Sequence, residues 1–152
     1  MIDLKTNYLG LELKYPLVAA ASALSKKTSI VKSMEDDKHF VLHSVVDERS
    51  AAYYAGGISR QLGEPVVICS TSGQATRNYV PGLTQAFYAG IPLIAITADW
   101  REDQIGKGVM QTVLQTDLPQ DSVKTSVSLP VVSDSQSYRH CETLVNVALL
   151  EM

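Results

Sequence analysis

The chain has 152 residues, 45% of them hydrophobic and 19% charged, and a formal net charge of −3. This composition predicts one folded domain with a buried core and excludes a disordered chain. The weak negative charge, without blocks of like charge, argues against nucleic acid or an anionic membrane as a partner. The chain begins without a basic and apolar leader, and Cys69 and Cys141 lack the spacing of metal ligands. We therefore expect a cytoplasmic protein with reduced thiols.

Strand-like and helix-like segments alternate through the first half of the chain. Residues 8–13 predict a short strand or half of a hairpin, and the apolar run 16–21 predicts a buried strand. A helix at 25–34 and a β-branched strand at 40–46 are expected next. The following helix is predicted at 50–62, because Gly63 is a typical residue just beyond a helix end.

The second half of the chain continues this alternation. Strands predicted at 65–70 and 91–98 flank a helix predicted at 74–89. A short helix at 109–116 and an edge strand at 122–129 are expected after them. The last predicted element is a helix at 135–152, and its apolar face would consist of Leu144, Val145, Ala148 and Leu149.

Almost continuously apolar strands that alternate with helices predict a parallel sheet. The expected fold class is α/β, with a three-layer, doubly wound, mostly parallel sheet and helices on both faces. Residues 1–152 would form this single domain. A closed eight-fold barrel is excluded because that fold needs about 250 residues.

Polar turns follow three of the predicted strands, and in this fold they share the edge of the sheet at which ligands bind. The first turn contains Glu48, a carboxyl group suited to proton chemistry, since burial in a dry site raises the pKa of such a group. The second turn offers hydroxyl groups, backbone amides and Gly73, which lets a flat ligand approach. The third adds Asp99 and Trp100. Together these turns suit a heteroaromatic ring that needs hydrogen bonds and one proton donor.

The same residues also have a purely structural explanation, which pattern alone favours. Asp47 or Ser50 would cap the next helix, Glu48 would pair with Arg49 or Arg60, and the second turn would bind nothing. The chain lacks the dinucleotide, phosphate-loop, zinc-protease and nucleophile-elbow motifs. Its three histidines are too scattered along the sequence to predict a metal site.

A combination of motifs between about residue 38 and residue 152 indicates a family. These motifs are V-D-E-R-S-A-A at 46–52, P-V-V-I-C-S-T-S-G at 65–73, N-Y-V-P at 78–81, Y-A-G-I-P-L-I-A-I-T-A-D at 88–99 and Q-T-V-L-Q at 111–115. In combination they resemble the N-terminal, pyrimidine-binding domain of thiamine-diphosphate enzymes. The greatest similarity is to the succinyl-enolpyruvyl-hydroxycyclohexene-carboxylate (SEPHCHC) synthases of menaquinone biosynthesis.

This resemblance implies thiamine diphosphate with Mg²⁺ as cofactor, and a 2-oxo acid as the substrate of a synthase or decarboxylase. Glu48 matches the glutamate that hydrogen-bonds N1′ of the cofactor's aminopyrimidine and favours its imino tautomer. Gln111 matches a glutamine near the reacting carbon. The residues that match the loop and helix beside the pyrimidine are Thr71, Ser72, Gly73 and Asn78.

The chain also departs from that family. The P-G-S-R motif that holds substrate carboxylates in the synthases is replaced by Ala-Ala-Ser-Ala at 20–23, so the substrate is not identified. The Gly-Asp-Gly motif and following asparagine that hold magnesium and diphosphate do not occur in the sequence. The resemblance therefore implies that the chain is inactive alone, and that a homodimer or a diphosphate-binding partner domain is required.

Residues 1–37 resemble a different family. The run T-N-Y-L-G-L-E-L-K-Y-P-L-V-A-A-A-S-A-L-S at 6–25 is similar to the start of dihydroorotate dehydrogenase-like flavoproteins. The chain would then be a chimera, in which residues 17–20 pair in parallel with a strand of the later segment. Three functions stay open: a domain of a thiamine-diphosphate enzyme, a non-catalytic dimerising module and, ranked last, an FMN-linked protein.

Overall fold

The computed structural model describes residues 6–8, 11–13, 16–20, 41–117 and 119–151. Strands β1 (Thr6–Tyr8) and β2 (Leu11–Leu13) pair in antiparallel fashion. The sequence predicts a single strand or half of a hairpin at 8–13, whereas the structure has two paired strands in this region, and the first begins at Thr6. The helix predicted at 25–34 lies outside the described residues.

Four parallel strands form the central sheet: β3 (Pro16–Ala20), β4 (Val41–Val45), β5 (Val66–Ser70) and β6 (Leu93–Thr97). Their order is β4-β3-β5-β6, so β3 pairs with β4 on one side and with β5 on the other. The expected parallel pairing of residues 17–20 with the later segment is confirmed. A uniform domain would pair in the same way, so the chimeric origin stays a prediction.

The strand order reverses direction once along the chain, which is the mark of a doubly wound sheet. From β3 the chain passes outward to β4, and from β4 it crosses back over β3 to β5 and then β6. Connections from the neighbouring strands β3 and β5 therefore leave in opposite directions. This confirms the α/β fold class and places the ligand-binding crevice of such folds at the carboxyl ends of β3 and β5.

Two helices cover one face of the sheet. Helix α1 (Glu48–Leu62) follows β4 and ends where Gly63 adopts a left-handed conformation with a φ of 72°. Helix α2 (Gln74–Tyr88) follows β5 and continues through Pro81. Both predicted helices are confirmed. They could be predicted because capping residues and apolar positions are local signals in the sequence.

The core lies where α1 packs on β5 and α2. Small side chains on α1 let the two helices approach closely: a Cβ atom added to Gly82 would lie 2.4 Å from the Cβ of Ala52. The buried residues of this cluster are Ala51, Ala52, Ala55, Ile58, Val66, Ile68 and Tyr79.

The prediction of a short helix at 109–116 is wrong, since this segment forms turns and irregular chain. Gln111 has a φ of 59°, which is incompatible with a right-handed helix. The Thr112 hydroxyl donates to the Val109 carbonyl oxygen at 2.6 Å, a local bond that competes with helix formation.

The prediction of an edge strand at 122–129 is also wrong, because this segment is irregular chain and does not pair with the sheet. Its serines bond to neighbouring loops and helices instead. The Ser122 hydroxyl accepts a hydrogen bond from Thr84 on α2, and the Ser126 hydroxyl accepts one from the backbone of Asp117. Alternation of polar and apolar residues alone could not distinguish this loop from a strand.

Helix α3 (Ser135–Leu150) confirms the last predicted helix and begins with a capping box between Asp134 and Ser137. The backbone and hydroxyl hydrogen bonds from Ser137 lower the pKa of Asp134. On the predicted apolar face of this helix, Leu144 and Ala148 are half-buried, whereas Val145 is 39% and Leu149 is 51% exposed. Across the described ranges, no helix is long and apolar enough to cross a membrane.

Candidate functional site

Glu48 is the first residue of α1 and lies three positions after Val45, the last residue of β4. The residue before it, Asp47, caps the helix by accepting a 2.7 Å hydrogen bond from the backbone N–H of Ser50. Hydrogen bonds from Ser50 lower the pKa of the Asp47 carboxyl group. The expectation that Asp47 would cap this helix is thus confirmed. The half-buried Glu48 side chain takes no part in the cap.

The Glu48 carboxylate is anchored by Asn78 on α2. The Asn78 Nδ2 atom donates to Glu48 Oε2 at 3.1 Å. Among the residues with described side chains, Glu48 forms no ion pair with Arg49 or Arg60, and its Oε1 atom has no hydrogen-bond partner. Glu48 Oε2 thus has a partner on α2, whereas Oε1 has none within the described part of the chain.

The turn after β5 lies at the carboxyl end of the sheet on the other side of β3. Since β3 separates β4 from β5, the start of α1 and this turn lie about 10 Å apart along the sheet. The turn is stabilised internally, because the Ser70 hydroxyl donates to the Thr71 carbonyl oxygen and Thr76 donates to that of Gly73. Ser72, one of the predicted site residues, is only 4% exposed.

Gly73 and Gln111, both predicted site residues, contact each other through their backbones. A Cβ atom on Gly73 would lie 2.6 Å from the Cα atom of Gln111. The sequence suggests that this glycine admits a flat ligand, but its open side faces the Gln111 backbone instead. Its left-handed φ of 72° is a second reason for glycine here.

Gln115 was missed by the sequence reasoning, although it connects two loops at this edge of the sheet. The backbone N–H of Gly73 donates to Gln115 Oε1 at 2.6 Å, and Gln115 Nε2 donates to the Ala98 carbonyl oxygen at 2.9 Å. The signal that could have found it is a second glutamine four residues after Gln111. The erroneous prediction of a helix at 109–116 hid it.

Tyr79 on α2 was also missed. It is 1% exposed, and its hydroxyl has no hydrogen-bond partner among the described residues. The neighbouring Ser70 hydroxyl donates to Thr71 instead. Burial raises the pKa of Tyr79, and the negative charge of Glu48 contributes to this rise. A neutral phenol group is therefore held close to the candidate site.

The third predicted turn contributes mainly apolar surface. Asp99 Oδ1 accepts a 2.7 Å hydrogen bond from the backbone N–H of Trp100, so this carboxylate stabilises its own loop. Trp100 is 46% exposed. Other apolar side chains on loops near this edge are also exposed, and with Trp100 we call them the apolar rim: Val46, Met110 and Leu114.

The family follows from a comparison with known proteins. A family model described as "Thiamine pyrophosphate enzyme, N-terminal TPP binding domain" matches residues 21–120. The chain belongs to this family. The match to the TPP-binding domain begins before residue 38 and so includes part of the segment that resembles flavoproteins. The position at which two segments of different origin would meet stays a prediction.

Similar sequences occur in 2-succinyl-5-enolpyruvyl-6-hydroxy-3-cyclohexene-1-carboxylate synthases. Those of Bacteroides thetaiotaomicron and Phocaeicola vulgatus are 39% and 40% identical over 127 residues, which is 84% of this chain and 23% of each relative. That of Lysinibacillus sphaericus is 39% identical over 107 residues, 70% of this chain and 19% of the relative. The chain thus spans less than a quarter of the length of these relatives.

Proposed function

We propose that this domain binds the aminopyrimidine ring of thiamine diphosphate at the carboxyl ends of β3 and β5, with Glu48 as the hydrogen-bond partner of ring atom N1′. The observation that carries the proposal is the state of the Glu48 carboxylate. Asn78 fixes its Oε2 atom at 3.1 Å, and Oε1 has no partner among the described residues. A carboxylate held in this way can share a proton with a ring nitrogen in a fixed direction.

The surrounding residues fit a flat, partly polar ring. Two sides of the crevice differ in character: the start of α1 offers the carboxylate, and the turn after β5 offers the half-buried Thr71, while Ser72 is buried within that turn. The backbone at Gln111 lies against that turn, which supports its proposed place near the reacting carbon. Thiamine diphosphate, when bound, supplies carbanion stabilisation for chemistry on 2-oxo acids.

The diphosphate, Mg²⁺ and the 2-oxo acid require more than this chain in our proposal. We place them in a diphosphate-binding domain, supplied by the same polypeptide or by a second subunit of a homodimer. The apolar rim supports contact with such a domain, since Met110 is 83% and Val46 is 94% exposed beside the crevice and a partner would bury them. The free thiols of Cys69 and Cys141 support a reducing compartment such as the cytoplasm.

The whole assembly would then be a thiamine-diphosphate-dependent synthase of menaquinone biosynthesis. The similarity to the synthases supports this activity, over the 84% of the chain that two of them match. The domain alone would bind the ring and carry out no turnover.

Thiamine is the probe that tests the ring-binding step, because it carries the aminopyrimidine without the diphosphate. We expect the 152-residue chain to bind thiamine in a saturable manner, with a concentration-dependent rise in melting temperature. Glu48→Gln should weaken this binding at least tenfold, while Glu142→Gln, an equivalent change on the exposed surface of α3, should leave it unchanged. Equal affinity of the Glu48→Gln variant and the wild type would refute the proposal.

A dimerising module without catalysis is the second candidate function. It is favoured by exposed aromatic side chains on α1 and α2, where Tyr53 is 50%, Phe87 is 43% and Tyr88 is 71% exposed. Sedimentation velocity over a concentration series separates the two candidates. A concentration-dependent dimer that does not bind thiamine would favour this second function.

A further inference from the structure

We infer that Gln115 is a positioning residue, which holds the turn after β5 and the backbone of Gln111 in the arrangement that receives the pyrimidine ring. This inference rests on the proposed function and extends it to a residue outside the predicted site. Gln115 would act through Gly73 and Gln111 and would not contact the ring itself.

The first argument is that both ends of one carboxamide are used. Its oxygen accepts from the backbone N–H of Gly73 at 2.6 Å, and its nitrogen donates to the carbonyl oxygen of Ala98 at 2.9 Å. Gly73 precedes α2, and Ala98 follows β6. The half-buried side chain therefore joins the exits of two neighbouring strands, in a geometry that requires one donor and one acceptor on the same group.

The second argument is that the segment carrying Gln115 has no regular secondary structure to hold it. Residues 109–116 form turns and irregular chain, so their position depends on individual contacts. Besides the Gln115 bonds, Arg77 Nη2 donates to the Leu114 carbonyl oxygen at 2.7 Å. Arg77 is exposed, whereas the Gln115 bonds are partly shielded from water and are therefore the stronger constraint.

The third argument is the backbone conformation of Gln111. Its φ of 59° is left-handed, which costs a residue other than glycine about 1–2 kcal/mol. Such a conformation persists when the surrounding structure holds it in place. The close backbone contact with Gly73 on one side and the anchoring of Gln115 four residues later provide that restraint.

These contacts connect Gln115 to the carboxylate across the crevice. Fixing the N–H of Gly73 fixes the start of α2, and Asn78 lies in the second turn of this helix. Asn78 in turn holds Glu48. One side chain would thus restrain the Gln111 side of the crevice directly and the Glu48 side through α2.

The test uses Gln115→Glu in the full chain at pH 7.5. The ionised carboxylate has nearly the same size but cannot donate to the Ala98 carbonyl oxygen, and this oxygen would repel it. The side chain should therefore turn away, and the N–H of Gly73 should lose its acceptor. Gln120→Glu introduces the same charge on an exposed loop residue and serves as the matched control. Two quantities are measured in each variant: thiamine affinity and the amide hydrogen-exchange rates of Gly73 and Gln111.

We expect Gln115→Glu to weaken thiamine binding at least tenfold and to raise the exchange rate at Gly73 at least tenfold. The exchange rates of the core strand β5 should stay within twofold of the wild type, which a general loss of stability would not allow. Gln120→Glu should change neither quantity. Thiamine affinity within twofold of the wild type in Gln115→Glu would overturn the inference.

The outcome also separates this inference from the proposed function. If the wild-type chain does not bind thiamine, the proposed function fails. The positioning role of Gln115 is then tested by hydrogen exchange alone. Unchanged exchange at Gly73 would then overturn the positioning role. Faster exchange at Gly73, with β5 unaffected, would support it.

Discussion

Asn78 Nδ2 lies 3.1 Å from Glu48 Oε2, and this hydrogen bond joins the second turn of α2 to the first residue of α1. The two residues are thirty positions apart in sequence and belong to different strand–helix units. The direction of the Glu48 carboxylate therefore depends on how closely α1 and α2 pack. The packing of the helices and the chemistry of the site are coupled at this point.

Asn78→Ala should weaken thiamine binding several-fold and reduce the free energy of unfolding by only about 0.5 kcal/mol, because the bond is exposed to solvent. The carboxylate would lose its fixed direction, while the fold would keep its core. Calorimetric titration and urea unfolding measure the two effects. Gln74→Ala, an exposed change in the first turn of the same helix, is the control and should leave affinity unaltered.

Gly82→Ala should destabilise the domain by about 1–3 kcal/mol, because the new methyl group would overlap the Cβ of Ala52 and push the helices apart. Gly56→Ala is a matched control within α1, since its added Cβ would meet Leu93 at an ordinary distance of 4.0 Å. That control should be neutral or stabilising by about 0.5–1 kcal/mol, because alanine favours helix. Urea unfolding decides, and equal stability of both variants would contradict the packing described.

Gly73→Ala should displace the 111–115 segment and lower stability more than Gly63→Ala does. Both glycines have a φ of 72°, but Gly63 has a ψ of 20° and lies in the left-handed helical region, where alanine costs about 1–2 kcal/mol. Gly73 has a ψ of −123° and lies in a region that only glycine adopts readily. The added Cβ at Gly63 meets no atom within 4 Å, whereas at Gly73 it meets the Gln111 backbone at 2.6 Å. The conformation and the contact therefore both make Gly73→Ala the more costly substitution, and equal unfolding free energies of the two variants would contradict the structure at this turn.

His43 should make stability depend on pH in the weakly acidic range. Its side chain on β4 is hydrogen-bonded through Nδ1 to the Tyr54 hydroxyl at 3.2 Å, and burial lowers its pKa below 6.5. The unfolded chain then binds a proton at higher pH than the folded one, so this contribution to stability is complete above about pH 6.5 and is lost as the pH falls through that value towards the folded pKa.

The measurement for His43 is the melting temperature between pH 5 and pH 8. His43→Gln should reduce the loss of stability towards low pH. His140→Gln, which alters an exposed histidine on α3, should retain the wild-type pH dependence. A His43→Gln variant with the wild-type slope would show that this histidine does not titrate differently on folding.

Local signals explain what could be predicted from the sequence. Helix α1 was predictable because Asp47 and Gly63 mark its ends and alanines mark its buried side. The parallel strands were predictable from short apolar runs. Glu48 could be located because a carboxylate directly after a buried strand lies at the ligand-binding edge of such a sheet.

The features that could not be predicted from the sequence depend on contacts between distant residues. Gln115 matters because of atoms 42 and 17 positions away in sequence, at Gly73 and Ala98. The buried phenol of Tyr79 resembles any other aromatic residue on an amphipathic helix until its unpartnered hydroxyl is seen. At Gln111, a left-handed backbone broke a pattern that otherwise predicted a helix.

The position of β3 has a practical consequence for anyone shortening this chain. Strands β4 and β5 are not hydrogen-bonded to each other, but both pair with β3 at residues 16–20. These residues precede the family match at 21–120. If the expressed chain began at residue 21, strand β3 would be missing from the sheet. Strand β4 would then have no hydrogen bonds to the sheet formed by β5 and β6. Residues outside the family match thus supply the strand pairing that makes β4, β5 and β6 one continuous sheet.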